Sequence, residues 1–307
     1  MPDPEQTSLD ALPTEGARAE LADLDTWPTS RLVGQFITDH DAVTRALTAA
    51  AGQLAAAADL VAAQLAKGGR LIYAGAGTGG RLAALDAAEI GPSYGLTGRV
   101  VVAFAGGVDA MLEGREFYED DAGQGAAELR ALAPTSDDVV VGVSASGRTP
   151  YVLGAVEAAA AAGAPTVALV CAPGAPLAAL ADLAVEIDTG AEMVSGSTRL
   201  KAGAAQKVAL NTLSTIAMVR LGRTFGNLMV DVVADNAKLR RRAVRAVAQA
   251  TGVGDTAAAA ALDAAGGDAK AAIVSLLAGV PPDRAKEALV AARGRIRVAL
   301  GLAGNPD

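Results

Sequence analysis

The chain has 307 residues, 51% hydrophobic and 20% charged, with a formal net charge of −8. That length supports a full core in one large domain or two small ones, and the acidic balance argues against an electrostatic grip on nucleic acid or anionic membrane. A single cysteine leaves no intrachain disulfide framework or thiolate zinc site, and a single histidine removes most His-based metal sites and leaves little for a Ser-His-Asp triad.

Residues 1–25 are polar and acidic, carry Pro2, Pro4 and Pro13, and read as an arm with none of the marks of a signal peptide. No uninterrupted apolar run reaches the roughly 18 residues that span a bilayer, so a cytoplasmic protein is expected. Residues 28–67 are helical in pattern, in two pieces broken near Asp39-His40-Asp41, the second rich in alanine. Five short apolar runs then read as strands, at 70–74, 99–104, 139–143, 166–170 and 183–187. Helical stretches separate them: 78–89, 108–132, 149–162 and a short one before the fifth strand. Strands with few polar positions, alternating with helices, mean a parallel sheet covered on both faces. A ligand site is expected outside the carboxyl ends of those strands. Long helices follow at 199–221 and 231–248, then three short ones to the end, punctuated by glycine and proline.

Three loops carry chemistry. Gly75-Ala76-Gly77-Thr78-Gly79-Gly80-Arg81 lies between a strand and a helix, where glycines admit a ligand to the backbone and the helix offers amide groups to an anion. It fits a dinucleotide fingerprint formally, yet residues 95–104 hold no acid of the kind that reading needs. In Ser144-Ala145-Ser146-Gly147-Arg148-Thr149-Pro150, several hydroxyls converge before a helix, which suits a phosphate monoester; helix capping accounts for one of them. Ser195-Gly196-Ser197-Thr198-Arg199-Leu200-Lys201 adds two cations before another helix. Glu89 ends a helix against the macrodipole, and Glu119 lies in an acidic run with Glu113, Glu116, Asp120 and Asp121 that spacing alone does not resolve.

The segments 75–82, Asp86-Ala87-Ala88-Glu89, 146–152, 196–203 and 226–231, taken together and in this order, resemble the N-acetylmuramic acid 6-phosphate etherases. These belong to the sugar isomerase (SIS) superfamily, which also includes the glucokinase regulatory protein. The resemblance implies an α/β SIS fold: a flavodoxin-like parallel five-stranded sheet flanked by helices, with a small helical C-terminal region. With the arm read at 1–25, it implies a phosphosugar-binding catalytic domain at 26–230 and a helical region at 231–307. It also implies a homodimer acting on a small-molecule phosphosugar, with no metal or other cofactor, in the recovery of amino sugar from cell-wall fragments.

By the same resemblance Glu89 is the catalytic acid and Glu119 the base, with Glu116 the neighbouring alternative. The expected substrate-binding residues are Gly77, Thr78, Ser144, Ser146, Arg148, Thr149, Ser197, Thr198 and Lys201. The chain departs from the family pattern at Gly79, where a serine is usual, and at Ser144, where alanine is usual. A sugar-6-phosphate isomerase and a non-catalytic phosphosugar sensor are the alternative readings of the same loops.

Overall fold

The computed structural model describes residues 13–113, 116–232 and 237–303. By its internal contacts the chain divides into two units, residues 1–87 with 99–214, and residues 88–98 with 215–307.

The first unit is built on a five-stranded sheet: β1 (Leu71–Gly75), β2 (Val100–Phe104), β3 (Val139–Ser144), β4 (Thr166–Val170) and β5 (Leu183–Glu186). The strand order is β2-β1-β3-β4-β5, and every pair is parallel. This is the doubly wound flavodoxin-like order, whose reversal of direction falls between β1 and β3. β1, β3 and β4 are buried along their whole length, as the unbroken apolar runs require. Each fully buried Val, Leu or Ile contributes about 1.5–3 kcal/mol.

Helices cover both faces. α1 (Thr29–Asp39), α2 (Asp41–Ala49) and α3 (Ala51–Ala66) precede the sheet, with a second break at Ala50 beyond the one expected near His40. α4 (Gly77–Tyr94) follows β1 and passes through Pro92. It runs beyond the stop expected at Glu89 because residue 91 is glycine, with no Cβ to meet the proline ring. The expected helical stretch at 108–132 is three pieces: α5 (Gly107–Leu112), a 3-10 turn at Glu116–Asp120, and α6 (Ala122–Ala131). α7 (Pro150–Ala161) packs on α6 and on the apolar face formed by Ile72, Ala74 and Val140. α8 (Pro176–Leu180) joins β4 to β5, and α9 (Lys201–Arg220) follows β5. Residues Pro13–Glu15, Ala19–Leu21 and Leu24–Thr26 form 3-10 turns, and Thr14 is fully buried.

Among the described residues of the second unit, a hairpin, β6 (Thr224–Phe225) with β7 (Leu228–Met229), is followed by five helices rather than the expected four: α10 (Ala237–Thr251), α11 (Asp255–Ala264), α12 (Ala269–Ala278), α13 (Pro282–Ala291) and α14 (Ile296–Ala303). The helix expected from 231 starts at Ala237; residues 233–236 lie outside the described residues. Val247, Leu262, Ile273 and Leu289 form its core. Asp231 accepts ion pairs from Arg223 (3.2 Å) and Lys270 (2.5 Å), tying the chain after β7 to α12. No single helix among the described residues is long and apolar enough to cross a membrane.

Candidate active site

A cavity of about 500 Å³ opens at the carboxyl ends of β1 and β3, where the strand order reverses. Its lining includes Gly77, Thr78, Gly79 and Arg81 from the first loop, and Ser144, Ser146 and Thr149 from the second. Gly196 and Thr198 come from the third, with Glu119 and Asp120 from the 3-10 turn.

The first loop turns tightly. A Cβ on Gly75 would stand 2.6 Å from the α-carbon of Gly80, so strand and helix meet only as glycines. The first turn of α4 then lines the cavity, with N–H groups that have no partner within the helix. Arg81 donates from Nε to the Met111 carbonyl (2.8 Å) and from Nη2 to that of Ala110 (2.9 Å), holding the last turn of α5. Gly106, at φ +79°, lies where a side chain would strike Tyr118, 2.4 Å from Cδ2. Packing of Tyr118 there fixes the 3-10 turn and hence the next residue, Glu119. Glu119 is half-buried, and its carboxylate lies against Gly77. The side chain of Glu116 lies outside the described residues.

The second loop is organised by Ser144, which is 5% exposed. Its Oγ accepts from the Gly147 N–H (3.0 Å) and shares a hydrogen bond with Thr149 Oγ1 (2.8 Å). Thr149 stands at the N-cap position of α7, but its side chain makes no capping bond. Ser146 Oγ accepts from the Arg148 N–H at 3.2 Å. The hydroxyls are therefore gathered at the cavity instead of being spent on the helix end, and together they can donate to a multiply accepting anion.

The third loop behaves differently. The first amides of α9 are taken by the buried Glu192 carboxylate, which accepts from the N–H of Lys201 (3.0 Å) and of Ala202 (2.9 Å). Lys201 is 3% exposed; its ammonium donates to the Ala191 carbonyl (2.6 Å) and pairs with Asp39 (3.2 Å), to which Arg18 is also bonded. Ser195 Oγ donates to the Glu15 carbonyl (2.5 Å), and the Gly196 N–H to that of Thr14 (3.0 Å). This brings Glu15 into the cavity wall.

Matches to known proteins follow this geometry. The glucokinase regulatory protein N-terminal SIS domain matches residues 53–160, and the SIS domain matches residues 122–216. The N-acetylmuramic acid 6-phosphate etherase of Rubrobacter xylanophilus is 52% identical, over 97% of this chain and 99% of its own. Proteins of the same name from Streptomyces avermitilis (50%, over 97% and 96%) and Deinococcus radiodurans (49%, over 94% and 95%) are similar. The chain belongs to the N-acetylmuramic acid 6-phosphate etherase family. A phosphoheptose isomerase from Francisella tularensis shares the fold, with a TM-score of 0.50 at 18% identity over 62% of this chain and 98% of that one.

Of the site residues expected from the sequence, Gly77, Thr78, Glu119, Ser144, Ser146, Thr149 and Thr198 share the cavity. Arg148, Ser197 and Lys201 do not line it, and neither does Glu89, which is exposed on α4. Asp86, the first residue of the Asp86-Ala87-Ala88-Glu89 segment, is 2% exposed and structural. It accepts from Tyr73 (2.8 Å), Asn211 (2.7 Å) and Ser214 (3.0 Å), locking α4 to β1 and α9, and burial pushes its pKa up. Sequence reasoning missed Glu15 and Gln206, which also line the cavity. Among the described residues, no three His, Cys, Asp or Glu side chains gather as a metal ion would require.

Proposed function

We propose that this protein cleaves the D-lactyl ether of N-acetylmuramic acid 6-phosphate with water, giving N-acetylglucosamine 6-phosphate and D-lactate. Family membership along nearly the whole chain carries this reading. The cavity supports it: hydroxyls suited to a phosphate stand beside a carboxylate suited to a base.

An unactivated ether resists direct hydrolysis. In the open-chain sugar the C2 hydrogen is alpha to the aldehyde and within the reach of base chemistry. Glu119 removes it, and the electron pair expels the C3 oxygen while an acid protonates it. Lactate leaves, and water adds at C3 as a proton returns to C2. Acid and base groups of this kind each contribute roughly 10²–10⁴-fold. The hydroxyls of Ser144, Ser146 and Thr149 hold the phosphate, and Thr78 and Thr198 face the sugar.

Glu89 is the acid in this reading, although it lies outside the cavity. Asp86 is already nine residues past Gly77, about 13 Å along α4, and Glu89 follows one turn later. We infer that the protein works in the cytoplasm as a homodimer, and that Glu89 serves the cavity of the partner subunit. D-lactate release from the phosphorylated sugar, with the unphosphorylated sugar as control, tests the function. Lactate from the phosphorylated sugar alone is expected; no lactate from either overturns the assignment.

A further inference from the structure

Among the polar groups of the cavity that the reaction above does not use, one has a buried donor without an acceptor. Gln206, on the first half of α9, lines the cavity and is 1% exposed. Its amide nitrogen is closed to solvent and has no hydrogen-bond partner within the described residues. A buried amide N–H without an acceptor is destabilising, and folded proteins retain few of them.

The position of that amide says what it is for. A Cβ on Gly79 would lie 3.2 Å from its Oε1, 3.3 Å from its Nε2 and 3.0 Å from Val143 Cγ1. Val143 directly precedes Ser144 in β3. The amide therefore lies against Gly79 in the first turn of α4, in the same cavity lining as Ser144, Ser146 and Thr149, on the side where Gly79 offers no hydroxyl of its own.

The charge of the lining adds to the case. It includes the carboxylates of Glu15, Glu119 and Asp120 against one guanidinium, that of Arg81, which is engaged with the carbonyls of α5. Lys201 is sequestered by Asp39. A phosphate in this cavity must be held largely by neutral donors.

We infer that Gln206 is a phosphate-binding residue, its carboxamide donating to a phosphate oxygen of the bound phosphosugar beside Gly79. This rests on the reading of the cavity as a phosphosugar site. The unpaired donor is then a group prepared for the ligand, destabilising without it and satisfied with it.

The test compares wild type, Gln206→Met and Gln206→Glu. It measures Tm without ligand, Kd for N-acetylglucosamine 6-phosphate by calorimetry, inhibition by inorganic phosphate, and KM with kcat. Gln206→Met is expected to keep or raise the ligand-free Tm, because the unpaired donor is gone. It should weaken the phosphosugar and inorganic phosphate alike, on the order of tenfold to a hundredfold, with KM rising in step and kcat changing little. Gln206→Glu, with a carboxylate facing the phosphate, should bind more weakly still. A lower Tm with wild-type Kd and KM would make Gln206 structural and overturn the inference. Weaker phosphosugar binding with unchanged inhibition by inorganic phosphate would place the amide on a sugar oxygen and overturn the phosphate assignment. Absence of phosphosugar binding by wild type overturns the functional reading itself, and the inference with it.

Discussion

The carboxylate of Glu119 occupies the space that a side chain on Gly77 would need: an ideal Cβ there stands 2.7 Å from Glu119 Oε1. Gly77 also has φ +52°, in the left-handed region. Two constraints thus meet at one glycine, and both serve to bring a carboxylate to the start of α4. Gly77→Ala is expected to cost about 1–2 kcal/mol in stability through the backbone alone. Displacement of Glu119 should lower turnover at least about 100-fold. Thermal unfolding and steady-state kinetics on the same preparation separate the two. Near-normal turnover would mean that the position of Glu119 does not matter to the reaction.

The placement of Glu89 predicts complementation. Glu89→Gln and Glu119→Gln homodimers should each lose most activity while keeping their fold. In a co-expressed mixture, each heterodimer has one cavity with both carboxylates intact. Recovery to about a quarter of wild-type activity is expected for random pairing of equal amounts. No recovery, with heterodimers demonstrated by mass, would return Glu89 to its own chain's cavity or remove it from the mechanism.

Lys201 predicts a stability effect without a binding effect. Its ammonium is buried against Asp39 and the Ala191 carbonyl. Lys201→Ala should destabilise by about 3 kcal/mol, at the low end for a broken buried pair because Arg18 still faces Asp39. KM for the folded fraction should stay near wild type. A large rise in KM with an unchanged Tm would place the ammonium on the substrate.

Asp138 predicts an acid limit to stability. Burial pushes its carboxyl up, but the Arg70 guanidinium and the N–H groups of Thr135 and Arg70 outweigh burial and hold it at about 2, against an ordinary 3.8. The folded value is depressed, so its contribution is complete above about pH 4 and is lost as pH falls toward 2. It amounts to roughly 2 kcal/mol. Denaturant titrations of Asp138→Asn should show that loss at pH 7 and a flatter decline between pH 4 and 2. An unchanged acid limb would assign that decline to other carboxylates.

The sheet was legible in the sequence because β1, β3 and β4 are buried on both faces, and burial on both faces leaves an unbroken apolar run. The two loops that end β1 and β3 were legible for the same reason: glycine and serine have no packing role where an apolar strand stops. Local pattern failed where tertiary contacts decide. The stretch 108–132 has helical composition throughout, but Arg81 and Gly106 pin α5 and the 3-10 turn in place and break it. Lys201 carries a charge in a promising loop, and only the fold reveals Asp39 as its partner. Gln206 looks like any polar residue of an alanine-rich helix, and Glu15 lies in a segment that reads as an arm. Glu89 is proposed as an acid from its motif and its place at a helix end, and it does not line the cavity.

If Glu119 takes the C2 hydrogen and lactate leaves by elimination, solvent hydrogen must end up at C2 of the product. Running the reaction in D2O and examining C2 of the N-acetylglucosamine 6-phosphate formed reports on that step. Elimination and readdition of water predict deuterium at C2 in essentially every product molecule from wild type, and neither product nor exchange from Glu119→Gln. Product that keeps its original hydrogen at C2 would mean that the ether is cleaved without deprotonation, and would contradict the account.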